Sequence, residues 1–190
     1  MSRDYDSELI CLINNEGWLI NAFKIVRELA LPDWFIAAGA IRNTVWNYLH
    51  GYTTQSHQRD IDVIYYDISD MEGDKERSSE GILKIKSPDL IWEVTNQARA
   101  HLFKENLNSH LQQVSSSCES LRYWSETATC VGVRLEKDDS LTICAPYGLD
   151  DLFNLVVRPI PEPFRDLNLY HSRIKEKQWE KQWPGLKIIY

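Results

Sequence analysis

The chain has 190 residues, 43% of them hydrophobic, enough for a single domain with its own core. Its 21 Lys and Arg stand against 28 Asp and Glu, a net charge of -7 with a pI near 5.2; this excludes a broad electrostatic surface for DNA, RNA or anionic membranes, while a local basic pocket for a nucleotide remains open. The four cysteines, Cys11, Cys118, Cys130 and Cys144, form no C-x-x-C pair, so the usual zinc patterns are excluded, no disulfide framework is expected, and a reducing cytoplasm is the expected setting.

The segment Met1 to Glu8 is polar and acidic where a secretory leader is basic and then apolar, and no stretch approaches about 18 apolar residues; a soluble, untargeted protein is expected. Leu19, Ala22, Phe23, Val26, Leu29 and Ala30 recur every three or four residues after the break at Asn14 to Gly17, which predicts a helix there and a shorter one before it. Leu31-Pro32-Asp33 ends the second helix, and Trp34 to Ala38 reads as a short buried strand or a last turn before a loop. Ile41, Val45, Trp46 and Leu49 give the next helical stripe, closed by His50-Gly51, so Gly39-Ala40 lies at the mouth of a helix.

Residues from about Arg59 to Tyr66 alternate as a strand. A polar loop from Ser69 leads into a weak helical pattern ending at Lys86, and Leu90 to Val94 predicts a second strand. Gln97 to about Ser115 reads as polar helix, and Cys118 to Trp124 as another. Cys130 to Leu135 and Leu141 to Cys144 form a hairpin around Glu136 to Ser140. Asp150 to Val156 is a short helix, Pro159, Pro161 and Pro163 force an extended crossing, and Asn168 to Trp183 is a docked helical tail. The fold class is therefore α+β (mixed α/β), one domain over 1–190 with N-terminal helices at about 5–30 and a C-terminal tail at about 168–183.

The chemistry is concentrated in Asp60-Ile61-Asp62. Side chains alternate along a strand, so two carboxylates at i and i+2 share a face and can share a divalent cation; solvated strand-end charge is the other explanation. Phosphoryl transfer from a nucleoside triphosphate needs close backbone approach to phosphate oxygens, cations between those oxygens, and carboxylates to hold them. Gly39 permits the approach, and the helix that follows directs free N–H groups and its positive dipole end at an anion. Arg42 and Asn43 sit in that helix's first turn and reach toward the same phosphates; a surface ion pair is the alternative for Arg42. Glu93 is the candidate third carboxylate, because an unpaired acid on an apolar strand is costly as buried structure, with Asp67, Asp89 and Asp150 as competitors. Asn96, Gln97, Arg99 and His101 form a polar cluster suited to base, sugar or acceptor, though capping and surface roles explain them almost as well. Trp92 beside Glu93 is a candidate wall for a base.

The blocks W34-F-I-A-A-G-A-I-R-N43-x-x-W46, D60-I-D-V-x-Y-x-D67, W92-E-V-x-N-Q-A-R-x-H101 and A145-P-Y-G-L-D-D-L-F153 resemble nucleotidyltransferase family 6, a bacterial branch of the superfamily with the DNA polymerase β fold. The likeness runs from about Trp34 to Trp183. It implies a mixed sheet flanked by helices and transfer of a nucleotidyl group from a triphosphate to an unspecified acceptor. It also implies two magnesium ions, replaceable by manganese, held by Asp60, Asp62 and Glu93, with Gly39, Ala40, Arg42 and Asn43 at the nucleotide. The chain departs from the superfamily in having Gly39-Ala40 where Gly-Gly or Gly-Ser is usual, and in a longer spacing to Asp60 that leaves room for an inserted loop at Tyr52 to Gln58. A non-catalytic binding or regulatory module on the same fold is the competing expectation.

Overall fold

In a computed structural model of the chain, residues 3–52, 60–103 and 108–190 are described. Two helices, α1 (Tyr5–Asn15) and α2 (Gly17–Glu28), lead into β1 (Phe35–Ala37), α3 (Gly39–Leu49), β2 (Asp60–Tyr65), α4 (Asp74–Lys86) and β3 (Ile91–Asn96). After α5 (Ser117–Ser120) come the hairpin β4 (Gly132–Leu135) and β5 (Leu141–Cys144), then α6 (Asp150–Phe153), β6 (Val156–Val157), α7 (Leu167–Lys177), α8 (Trp179–Gln182) and β7 (Lys187–Ile188). The first five strands form one sheet in the order β3-β2-β1-β4-β5, with β2 parallel to β3 and the other pairs antiparallel. The mixed α/β architecture expected from the sequence is the one observed.

Alternation along the strands divides the sheet into two faces. Ile36, Ile61, Val63, Trp92, Val94 and Val133 turn to the face covered by α1, α2 and α3, in the main core. Trp46 joins that core to the C-terminal helices through edge contacts with Trp179 and Trp183, at 5.8 and 5.1 Å between ring centroids. Trp183 Nε1 donates to Asn47 Oδ1 at 2.9 Å. Phe35, Ala37, Ile64 and Cys144 turn to the other face, where Leu121 and Ile160 cover them. A Cβ added to Gly132 would lie 3.1 Å from Phe35 Cβ and 3.3 Å from Leu121 Cδ1, so its lack of a side chain lets the segment after α5 lie down on the sheet.

Two expectations are corrected. Gln97 to Ser115 is not a long helix: among the described residues it holds one 3-10 turn, Ala100–Leu102, because Asn96 and Asn108 draw the chain into backbone contacts of a loop. Nor are all four cysteines free: Cys118 and Cys144, 26 residues apart, form a disulfide between α5 and the end of β5, while Cys11 is exposed and Cys130 buried. The sheet register creates that proximity, and no local spacing records it. The proposed insertion at Tyr52 to Gln58 falls, beyond Tyr52, outside the described residues.

Candidate active site

The register of the sheet assembles the acids. Asp62 lies directly opposite Glu93 on β3 and opposite Ala37 on β1, and Ala37 in turn pairs with Gly132, itself opposite Cys144. One row thus crosses all five strands on one face, with Glu93 and Asp62 at one end and the disulfide at the other. Asp60 shares this face at the exposed start of β2. Burial, and then the Glu93 carboxylate, push the Asp62 carboxyl up to about 6, with Asp60 adding to the rise; Arg42 and Arg173 pull the other way without cancelling it. Glu93 itself is exposed, so the burial argument for it fails. Its register opposite Asp62 is what brings it to the pair.

At the entry to α3 the strained residue is Ala38, with φ 51 and ψ -120, a conformation that L residues rarely adopt. Arg42 N–H donates to its carbonyl at 2.8 Å, and no side chain caps the helix. The first N–H groups of α3 therefore lack a side-chain cap two residues beyond Ala37, which lies opposite Asp62, and uncapped helix starts are suited to anions. Gly39 leaves the approach clear: a Cβ there would sit 3.7 Å from Asn43 Nδ2 and 3.8 Å from Arg42 Nη2. Asn43 Oδ1 accepts from Arg42 Nε and Nη2 at 3.2 and 3.0 Å, which leaves its Nδ2 on the side of Gly39. Ala40 is buried, so it offers only its backbone.

Arg42 is buried, not a surface ion pair. Its Nη1 donates to Thr129 Oγ1 at 3.0 Å, and the guanidinium lies 5.0 Å from the Trp46 ring and 4.5 Å from that of Trp179. Burial lowers its pKa to about 10 against the favourable charge of Glu126, so it remains protonated at neutral pH. Glu126 and Arg173 were not flagged by the sequence: Glu126 is fully buried, and its Oε1 accepts from Arg173 Nε at 3.0 Å. Their separation of 47 residues left no local pattern to find.

The other polar candidates lie elsewhere. Asn96 pairs with Tyr65 at the far end of β2, three residues or roughly 10 Å from Glu93. It is fully buried and donates through Nδ2 to the carbonyls of Asp67 and Asp70. Gln97 is buried beside it, with Nε2 on the Thr95 carbonyl at 3.4 Å. Arg99 Nη1 donates to Glu76 at 2.5 Å, and His101 Nδ1 is buried without a partner among the described residues. Asp67 accepts from Lys75 and Ser69, which hold its carboxyl down to about 2. Asp89 is exposed before β3, and Asp150 opens α6. Trp92 turns away from Glu93 into the core, its Nε1 on the Ser87 carbonyl at 3.1 Å.

Among the described residues no three Asp, Glu, His or Cys side chains form a closed cage for a metal ion. The donor set nonetheless fits magnesium, which takes one or two carboxylates and completes its shell with water and substrate phosphates. No helix in the described residues is long and apolar enough to cross a membrane.

The sequence profile of a nucleotidyltransferase family matches residues 24–188. A solved structure described as a CCA-adding enzyme head domain is 30% identical, with a TM-score of 0.84 over 96% of this chain and 95% of that one. A CCA-adding enzyme in complex with CTP has TM-score 0.61 at 14% identity, covering 100% of this chain and 44% of its own. A Thermotoga maritima CCA-adding enzyme solved with tRNA has TM-score 0.57 at 14% identity, covering 97% and 42%. This chain therefore spans less than half of those two enzymes, whose likeness is one of fold. No curated protein sequence matches it.

Proposed function

The chain belongs to the nucleotidyltransferase family, and from that premise we propose that it is a magnesium-dependent enzyme moving a nucleoside monophosphate from a nucleoside triphosphate to an acceptor. The observation that carries this reading is the row in which Asp62 faces Glu93 with Asp60 beside it, an acid group in which burial and mutual repulsion outweigh the nearby arginines. Asp60, Asp62 and Glu93 would hold magnesium, with manganese able to replace it. The cation, when bound, supplies charge stabilisation at the phosphoryl oxygens.

Gly39, the backbone of Ala40 and the Asn43 amide orient the phosphates, with the buried Arg42 guanidinium behind them holding Asn43 in place and adding its positive charge. In the transfer an acceptor oxygen bonds to the α-phosphorus, the α–β bridging bond breaks, and its electron pair leaves with pyrophosphate. The acceptor's proton passes to a carboxylate or to water, and Glu93, which is exposed, would be the carboxylate to receive it. Asn96 and Arg99 support the loop behind the sheet in this reading, and single-domain organisation over 1–190 goes with it. A cytoplasmic setting, where triphosphates are abundant, also goes with it, and Cys118 and Cys144 would be a dithiol there.

Calorimetric titration with ATP, CTP, GTP and UTP, with and without magnesium, tests the reading. Magnesium-dependent binding of at least one triphosphate, abolished in Asp62→Asn, is expected; no such binding by the intact chain overturns it. Binding without transfer to any acceptor would instead identify a non-catalytic module. The acceptor to try first is a tRNA 3′ end, because relatives of this fold are CCA-adding enzymes.

A further inference from the structure

Behind the entrance to α3, two arginines gather around one buried carboxylate. Glu126 is wholly inaccessible, and the chain around it is pinned: Thr127 N–H donates to the Arg158 carbonyl at 3.1 Å, and Glu126 bridges to Pro159. The Glu126 carbonyl accepts from Thr129 N–H at 2.9 Å, and the Thr129 hydroxyl receives Arg42. Arg42 is held by Thr129, Asn43 and two tryptophan rings, one of them Trp179 just beyond the end of α7. Arg173, on α7, is held differently. Its only hydrogen bond among the described residues is from Nε to Glu126 Oε1, and its side chain is one-third exposed. Nη1 and Nη2, the fork that binds carboxylates and phosphates in a bidentate manner, have no partner among the described residues.

The charge count points the same way. Two guanidinium groups share one carboxylate, so the cluster carries an excess positive charge beside the start of α3. That charge is close enough to act on both Arg42 and Asp62. A purely structural arginine neutralising Glu126 would direct its fork at the carboxylate. This one is fixed at its neck by the buried acid, and its terminal donors have no partner among the described residues.

We propose that Arg173 is a polyphosphate-binding residue: fixed at Nε by Glu126, it presents Nη1 and Nη2 to the outer phosphates of the triphosphate and to the pyrophosphate that leaves. This rests on the nucleotidyl-transfer reading above and assigns the leaving-group side of that site to α7. Arg173 thereby adds positive charge where the electron pair of the broken α–β bond comes to rest.

The test is calorimetry on the full chain with magnesium pyrophosphate, magnesium ATP, the other triphosphates and AMP, for wild type, Arg173→Lys and Arg173→Gln. The lysine variant retains a cation for Glu126 and so protects the fold, yet loses the fork; its unchanged melting temperature provides the folding control. Both variants should bind pyrophosphate and triphosphate about ten- to a hundredfold more weakly, with monophosphate affinity unchanged. Wild-type affinity for pyrophosphate in both variants overturns the assignment, as does an equal loss for all ligands, which would mark a structural role. Weakened binding of a tRNA 3′ end with triphosphate affinity intact would also overturn it, placing Arg173 at an acceptor phosphate. If the wild type binds triphosphate but not pyrophosphate, this inference alone fails; if it binds neither, the nucleotidyl-transfer reading fails with it.

Discussion

The two ends of the β2–β3 pair both collect acidic side chains, and they treat them in opposite ways. Past the end of β2, Asp70 is buried, takes the Tyr65 hydroxyl at 2.5 Å and receives the Asp74 N–H at 2.9 Å at the start of α4. Asp67 is held by Lys75 and Ser69, and Glu76 accepts from both Arg99 and the Asn96 N–H. At the start of β2, Asp60, Asp62 and Glu93 gather with no hydrogen-bonded cation among the described residues, and the Asp62 carboxyl rises to about 6 where that of Asp67 falls to about 2. A folded protein satisfies buried acids it uses for architecture. The acids at the start of β2 lack the hydrogen-bonded partners that those past its end have among the described residues, and this is the contrast the proposed metal site draws on.

The sharpest way to break this comparison is to neutralise one acid at each end. Asp62→Asn should reduce transferase activity by more than about a hundredfold, since even partners behind a metal ligand are worth 10- to 100-fold, while the variant remains folded. Asp70→Ala should do the reverse. It removes a buried acceptor of three groups and should cost about 3 kcal/mol in urea denaturation, with magnesium-triphosphate affinity unchanged in the folded fraction. If Asp70→Ala abolishes triphosphate binding and Asp62→Asn does not, the assignment of the two ends is reversed.

Much of this contrast was legible only in part. The i, i+2 spacing put Asp60 and Asp62 on one face, and the apolar periodicities located α2, α3, β2 and the β4–β5 hairpin, because each depends on local alternation. Glu93 was reached from a wrong premise, burial, and is supported instead by parallel register, a relation between strands that no spacing within one strand records. The Asn96 to His101 segment looked like a ligand surface because buried polar residues that hold a loop and exposed ones that hold a substrate have the same composition. Glu126 and Arg173 were missed because they meet only through the tertiary packing of α7 against the 125–130 segment.

Stability against pH separates the two ends by sign. The Asp62 carboxyl is raised in the folded chain, so its contribution is fully present below its ordinary value of 3.8 and is lost as pH rises through about 6. The shift corresponds to at most about 3 kcal/mol, and partial exposure to water lowers that to about 1–2 kcal/mol. Asp67 is depressed, so its contribution is present above 3.8 and is lost as pH falls toward about 2. Denaturant midpoints of the metal-free protein should therefore fall between pH 4 and 7 in the wild type and change less in Asp62→Asn. Magnesium affinity should weaken below about pH 6, where a proton competes for the same carboxylate. A wild-type profile identical to that of Asp62→Asn would remove the case that the acid end is under strain.

The smallest effect tests the entrance to α3, where strain and access fall on adjacent residues. Ala38 carries the positive φ, so Ala38→Gly relieves about 1–3 kcal/mol of strain but loses a buried methyl and adds unfolded-state entropy, together about 1–2 kcal/mol. Its stability should stay within about 2 kcal/mol of wild type. Gly39 carries no such strain, and a Cβ there meets Asn43 Nδ2 and Arg42 Nη2 at ordinary contact distances, so Gly39→Ala should fold as well as wild type or slightly better. That same methyl stands in front of the two donors and the open helix start. Triphosphate affinity should therefore fall about tenfold in Gly39→Ala and hold in Ala38→Gly, a change of about 1.4 kcal/mol readable by calorimetry. Equal affinities in the two variants would mean that the phosphates do not approach α3 over Gly39, and the acid end would need another partner for its anion.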